Sequence, residues 1–173
     1  MEKQIEQQTE SDQYLAGVET DKVAQFLTFQ LNEEEYGISI LNIKEIVDYG
    51  HITKVPMMPD FIAGVINLRG SVVPIVDLAF RFSEEPSART KRSSIVIFEA
   101  EYESKKMEIG ITVDVVNEVL DIYPNEIEVT PSFGTKIRTD FISGMGKVEG
   151  QLLVLLNIKK ILDIEELSAV ENL

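Results

Sequence analysis

Side chains that could carry out catalysis or bind a metal ion are few in this 173-residue sequence. It has no cysteine, and its single histidine, His51, lies in a turn-like segment after Tyr49 and Gly50. Metal sites need several converging ligands, and the 30 acidic residues never take the spacing of a calcium loop. No G-x-S-x-G elbow for a nucleophilic serine is present. We therefore predict that the protein is not an enzyme and uses no cofactor and no metal.

Residues 144–147 (Gly-Met-Gly-Lys) look like part of a phosphate-binding loop but do not meet its pattern. The P-loop requires glycine where Phe141 stands and serine or threonine where Val148 stands. The net charge of −14 also argues against nucleic acid, because Lys and Arg must neutralise a phosphate backbone. The one concentrated basic stretch, residues 89–92, is interpreted as a solvated loop. A small-molecule-binding barrel is disfavoured as well, because few polar groups could converge in a pocket.

The sequence repeats itself in two ordered blocks. Residues 61–64 (Phe-Ile-Ala-Gly) return 80 residues later as 141–144 (Phe-Ile-Ser-Gly), and further matched positions follow in both copies. Upstream the offset is 73, with residues 37–48 matching 110–121. Two offsets imply an insertion between the blocks, within residues 125–139. Internal repetition of this kind predicts two homologous β-barrels.

The two copies differ in charge at one position. Arg69 in the first copy corresponds to Glu149 in the second, whereas Glu45 and its counterpart Glu118 are both acidic. If the two positions are neighbours, the first barrel can form a Glu45–Arg69 ion pair, and the second places two acids together. An exposed pair adds only about 0–1 kcal/mol, so its role would be to set geometry or to meet a partner. A surface pair without function is the alternative.

The elements that position these residues are mostly short strands. Leu27, Phe29 and Leu31 alternate with polar residues, as a half-buried strand requires. Residues 108–115 alternate in the same way, and residues 72–76 and 95–98 are largely apolar β-branched runs. Ile158, Ile161 and Leu162 follow helical spacing. We predict a mostly β fold of two barrels with short helices and a C-terminal helix. The expected divisions are a disordered tail (1–22), a first barrel (23–82), a second barrel (93–156) and the helix (157–170), without a secretory signal or an 18-residue apolar run.

The motif blocks resemble the CheW family of chemotaxis adaptors over residues 23–165. The most specific segment is residues 64–70 (Gly-Val-Ile-Asn-Leu-Arg-Gly), followed by Pro74, Asp77 and Leu78; residues 26–31, 35–38 and 45–46 add to it. The resemblance implies two five-stranded SH3-like barrels packed together. It also implies an adaptor that couples the tip of a methyl-accepting chemoreceptor to the regulatory domain of the CheA histidine kinase. The short flanks at residues 1–22 and 166–173 lead us to expect a stand-alone coupler rather than a kinase or receiver fusion.

The resemblance also implies site residues. It places receptor contacts near Ile43, Glu45 and Val116 in the groove between the barrels, and makes Gly64 and Arg69 functionally sensitive. Ile43 and Val116 are also explained as core, and Gly64 as a close backbone approach; kinase-binding residues remain unassigned. The expected location is the cytoplasm, without membrane insertion and with recruitment to receptor arrays through the partners. The alternative function is a CheW-like coupler of a pilus or developmental pathway.

Overall fold

The computed structural model describes residues 22–86, 88–129 and 137–163. In this part of the chain, strands account for most of the regular structure, which confirms the predicted mostly β fold. The strands are β1 (Ala24–Leu31), β2 (Glu34–Ser39), β3 (Ile43–Asp48), β4 (Ile62–Leu68), β5 (Ser71–Val76), β6 (Ser94–Tyr102), β7 (Lys105–Val113), β8 (Val115–Ile122), β9 (Ile127–Glu128), β10 (Ile142–Val148) and β11 (Gln151–Leu156). The helices are α1 (Leu78–Ser83) and α2 (Ile158–Ile161), with single 3₁₀ turns at Ile40–Asn42, Pro124–Glu126 and Thr139–Phe141.

The strands form two sheets that share one arrangement. The first sheet has the order β3-β6-β7-β5-β4, and the second has the order β8-β1-β2-β11-β10-β9. Each contains one parallel pair, which aligns Ile75 with Gly110 in the first sheet and Leu155 with Gly37 in the second. These four residues are matched by the sequence repeat, so the duplication seen in the sequence is also a duplication of sheet geometry.

The sheets do not follow the contiguous division predicted from the repeat. The hairpin β1–β2 pairs with β8 and β11, and the hairpin β6–β7 pairs with β3 and β5. Each sheet therefore combines strands from both halves of the chain, and barrels made of residues 23–82 and 93–156 are wrong as structural units. The two hairpins carry equivalent apolar faces. The sequence pattern is therefore the same whether each hairpin pairs with strands of its own half of the chain or with strands of the other half. The 3₁₀ turn Ile40–Asn42 connects β2 in the second sheet to β3 in the first.

Each sheet closes into a barrel because one edge strand continues into a segment that pairs with the other edge. After β3, Thr53 exchanges two backbone hydrogen bonds of 2.9 Å with Val65 of β4. After β8, β9 pairs with β10 in the same way. Gly64 lies at the first closure with φ +147°, and a Cβ added there would lie 2.3 Å from the Thr53 carbonyl oxygen. This geometry confirms the close backbone approach predicted for Gly64.

The apolar core joins the two barrels. A central cluster contains residues of both sheets, among them Phe29, Tyr36, Phe98 and Phe141. Smaller clusters fill each barrel separately: Val73, Ile75, Ile95 and Ile97 in the first sheet, and Phe26, Ile122, Leu153 and Leu155 in the second. Because the central cluster is shared, burial of apolar area stabilises the two barrels together.

The C-terminal helix is shorter than predicted in the described part of the chain. Asn157 caps α2 by accepting a hydrogen bond from the Lys160 amide (3.3 Å), and the helix ends with Leu162 as its C-cap. The Ile161 carbonyl accepts a hydrogen bond from Arg81 of α1 instead of continuing a helical ladder. The predicted continuous helix is therefore wrong at Leu162 and Asp163. Residues 164–170 of that helix, and residues 1–21 of the predicted tail, lie outside the described residues.

Tyr36 should make stability fall at alkaline pH. It is buried beside Phe29 and Phe82, and its hydroxyl donates a hydrogen bond to Glu34 (3.0 Å). Burial, followed by the hydrogen bond and charge of Glu34, raises the pKa of Tyr36 far above its usual range. The folded state holds this proton more tightly than the unfolded chain, so the contribution is present below pH about 10 and is lost as pH rises further. Denaturant titrations at increasing alkaline pH measure the free energy of unfolding. This free energy should fall less steeply with pH in Tyr36→Phe than in the parent, and as in the parent in the half-exposed control Tyr123→Phe.

Candidate protein-interaction surfaces

Arg69 occupies the tight turn between β4 and β5. Arg69 and Gly70 both have left-handed backbone angles (φ 52° and 88°), as a two-residue type I′ hairpin turn requires. The Asn67 side chain accepts a hydrogen bond from the Gly70 amide (2.8 Å) and stabilises this turn. From here the Arg69 guanidinium donates a hydrogen bond to the Glu45 carboxylate on β3. Because β3 and β4 are opposite edges of the first sheet, the ion pair predicted from the sequence spans the barrel closure.

Two more ion pairs lie on the first sheet, on β3, β6 and β7. Glu99 and Glu108 lie directly opposite each other on β6 and β7, where two like charges repel. Lys44 binds Glu108, and Lys106 binds Glu99 at 3.4 Å, so each acid has a basic neighbour. The hydrogen bond to Glu108 raises the pKa of Lys44. The outer face of this sheet is therefore charged but locally neutralised.

A groove with a volume of about 920 Å³ lies between the start of β3, the strands β6 and β7, and α2. Ile43 lines it and packs against the central core cluster. Leu41 in the preceding 3₁₀ turn is 88% exposed at its edge. Further apolar lining comes from Phe98, Ile158 and Leu162, and charged lining from Lys44, Glu99, Glu101, Lys106, Lys159 and Asp163. We call this surface the apolar groove; it has the composition that an amphipathic helix can bind.

The residues predicted for receptor binding do not all line this groove. Ile43 does, but Glu45 pairs with Arg69 at the barrel closure, and neither Glu45 nor Val116 is part of the groove's lining. Val116 is the second residue of β8, is half-buried, and pairs with Phe29, as Ile43 pairs with Phe98 in the other sheet. The receptor contacts of Ile43, Glu45 and Val116 stay predictions.

Sequence reasoning missed Leu41. It lies in the 3₁₀ turn before β3, and its counterpart in the second copy is Asp114. A leucine at a position that is acidic in the other copy was the signal that could have indicated an exposed apolar contact.

The second sheet carries the acidic pair predicted from the repeat. Glu149 and Gly150 form the same left-handed turn (φ 50° and 79°) as Arg69 and Gly70. Glu149 and Glu118 line one groove, together with Glu34 and Glu35 of β2. The two halves of the molecule therefore present equivalent surfaces with different charge.

No group of three or more His, Asp or Glu residues within residues 22–86, 88–129 and 137–163 could hold a metal ion. Among these same residues, no helix has the length and apolar composition needed to cross a membrane. His51 is exposed.

A duplicated, core-joined β scaffold with an apolar groove and charged turns defines a protein-binding domain. Comparison with known proteins gives the particular family: the CheW-like domain matches residues 25–166. The chain belongs to the CheW family. A chemotaxis scaffold or adaptor role follows from this membership, and the family is one of scaffolds rather than of catalysts.

Similar proteins agree in length as well as in sequence. The chemotaxis protein CheW of Klebsiella aerogenes is 36% identical over 148 residues, covering 86% of this chain and 87% of the relative. That of Bacillus subtilis is 34% identical over 140 residues, covering 80% and 86%. The crystal structure of the scaffolding protein CheW from Thermoanaerobacter tengcongensis superposes with a TM-score of 0.71 at 36% identity, covering 81% of this chain and 88% of that one.

Proposed function

We propose that this protein couples methyl-accepting chemoreceptors to the regulatory domain of a CheA-type histidine kinase, in the cytoplasm and without catalytic turnover. The observation that carries the proposal is the apolar groove, which presents the exposed Leu41 beside the half-buried Ile43 on a scaffold of the CheW family. Coupling then consists of holding both partners in one assembly. A receptor change can shift the kinase only if the contacts differ in free energy between its active and inactive states.

The receptor side of the proposal concerns the amphipathic hairpin tip. Ile43 and Leu41 supply apolar surface at the start of β3, and Lys159 on the groove's lining can meet an acidic side chain of a helix. Glu45 and Val116 would extend the contact along β3 and β8 toward the barrel closure. The kinase regulatory domain would bind elsewhere on the scaffold, so that both partners are held at once.

Replacing Leu41 by aspartate should weaken binding of a receptor hairpin-tip fragment at least tenfold. The side chain is 88% exposed, so the free energy of unfolding should change by less than about 0.5 kcal/mol. Burying a leucine at an interface is worth about 1.5–3 kcal/mol, which the aspartate forfeits. Calorimetric titration measures the affinity. The matched control is Val129→Asp, at a position that is 93% exposed and does not line the groove; equal losses for both variants would contradict a specific contact.

Charge reversal at Arg69 should weaken the binding of at least one partner about tenfold while the protein stays folded. Its side chain is 69% exposed, so loss of the Glu45 pair costs only about 0–1 kcal/mol of stability. Arg69→Asn is the companion variant, because asparagine favours the left-handed turn while removing the charge. Loss of affinity in both variants assigns the effect to the guanidinium. Parental affinity for both partners with a normal melt would remove Arg69 from the site.

The deciding experiment is a pair of calorimetric titrations of the purified full chain. One uses a CheA regulatory domain, the other a receptor hairpin-tip fragment, and each is repeated with the other ligand at saturation. Saturable binding to both, with neither ligand blocking the other, supports the coupler. Binding to neither by a folded protein would overturn it.

A further inference from the structure

The groove on the second sheet corresponds, by the sequence repeat, to the surface around Glu45 and Arg69 on the first sheet. We call the groove on the second sheet the acidic groove. It is formed by Glu34 and Glu35 of β2, Glu118 and Leu120 of β8, and Glu149 and Leu152 at the β10–β11 hairpin. By the sequence repeat, Glu118 corresponds to Glu45, Glu149 to Arg69 and Leu152 to Val72. The same positions of the two barrels can therefore be compared within one molecule.

The first barrel shows which group pairs with the carboxylate that both copies of the repeat carry. There a guanidinium, that of Arg69, donates a hydrogen bond to Glu45 across the barrel closure. The second barrel retains the carboxylate as Glu118, in the corresponding place on β8, but offers Glu149 where the arginine would stand. The chain thus contains one barrel in which the arginine is supplied internally and one in which it is not.

The carboxylates of the acidic groove are not neutralised by the described part of the chain. No lysine or arginine lines the groove, and within residues 22–86, 88–129 and 137–163 no ion pair joins Glu118 or Glu149 to a basic side chain. This contrasts with the first sheet, where Lys44 and Lys106 balance two opposed glutamates. The surface is also partly apolar, since Leu152 is 59% exposed beside these acids.

We propose that the acidic groove binds an arginine-bearing, partly apolar segment of a partner protein, whose guanidinium takes the place beside Glu118 that Arg69 takes beside Glu45. Charge complementarity selects a basic segment, and Leu152 and Leu120 provide an apolar contact for its neighbouring side chains. A second copy of this chain is a poor occupant, because each copy carries a net charge of −14. The groove lies apart from Leu41 and Ile43, so this surface is additional to the proposed receptor contacts.

The test is a titration of the isotope-labelled full chain with the peptide acetyl-Leu-Arg-Leu-Arg-Leu-amide, followed by amide NMR shifts at low ionic strength, where exposed charges are least screened. Saturable shifts are expected on β8 and on the β10–β11 hairpin. The peptide with both arginines replaced by glutamate is the control and should cause none. Absence of saturable shifts, or shifts spread over all acidic surfaces, would overturn the proposal.

Two variants exchange the charges at the equivalent positions 69 and 149 and so compare the two barrels within one protein. Glu149→Arg should reproduce the Glu45–Arg69 pair in the second barrel and lower peptide affinity at least tenfold; it should fold, because Arg69 occupies the same turn conformation. Arg69→Glu should create a second site, seen as new shifts on β3 and the β4–β5 hairpin. An unchanged affinity in Glu149→Arg refutes the arginine position. The receptor titration of Glu149→Arg distinguishes this surface from the proposed receptor contacts, because that affinity should stay parental.

Discussion

Replacing Gly64 by alanine should lower the free energy of unfolding by about 3 kcal/mol or more. The new Cβ would lie 2.3 Å from the Thr53 carbonyl oxygen and 2.7 Å from Ile52, and the backbone there has φ +147°. Strained backbone angles cost about 1–3 kcal/mol, and overpacking costs a similar amount. Since about 1 kcal/mol shifts the melting temperature of a chain this size by roughly 2–4 °C, we expect Tm to fall by roughly 6–12 °C in calorimetry.

Two glycines provide controls for this effect. A Cβ at Gly50 meets nothing within 4 Å, so Gly50→Ala should melt like the parent. Gly144 is the repeat counterpart of Gly64, and its Cβ would meet the Ile127 side chain at 2.7 Å and the Glu128 carbonyl oxygen at 3.1 Å. Gly144→Ala should therefore be intermediate. If Gly64→Ala melts with Gly50→Ala, the barrel closure can move apart at little cost and the close-approach argument is wrong.

The same closure connects stability to binding. Gly64 allows β4 to approach Thr53, and the hairpin that β4 begins presents Arg69 to Glu45. Gly64→Asp, which adds a charge as well as a Cβ, should therefore weaken partner binding in addition to stability. This is how we expect Gly64 to be functionally sensitive without contacting a partner.

Truncating Arg81 to alanine should lower the free energy of unfolding by about 2.5–3.5 kcal/mol. Its guanidinium lies 4.8 Å from the Phe61 ring centre and 4.9 Å from that of Phe141, and its Nε donates a hydrogen bond to the Ile161 carbonyl (3.3 Å). Each cation–π contact contributes about 0.5–1 kcal/mol, and a hydrogen bond from a charged group about 1.5 kcal/mol or more. Phe61 precedes the first sheet's β4 and Phe141 the second sheet's β10, so this side chain ties the two barrels together.

Denaturant unfolding of three variants checks the Arg81 prediction. Arg81→Lys keeps the charge but lacks the planar guanidinium that stacks on both rings, so it should be intermediate. Arg92→Ala, in an exposed loop, should leave the midpoint unchanged. A parental midpoint for Arg81→Ala would mean that the central core cluster alone holds the barrels together.

The sequence alone determined which residues are equivalent and what each position needs. Glycine recurring as residues 64 and 144 predicted a backbone requirement, and the exchange of Arg69 for Glu149 beside two glutamates predicted both the ion pair and the acidic pair. Such inferences succeed because a side chain's face and its turn conformation depend on local chemistry. The specific block at residues 64–70 likewise identified the family without any coordinates.

Tertiary structure decided which strands meet. Alternating apolar residues state which face of a strand is buried but not against which strand, and the hairpins β1–β2 and β6–β7 have equivalent patterns. Only long-range pairing, such as Gly37 with Leu155, shows that the two hairpins are exchanged between the halves. The apolar groove depends on that exchange and on the end of α2 at Ile161, because Leu41, Phe98 and Leu162 come from distant segments. A surface assembled from distant segments in this way has no local signal in the sequence.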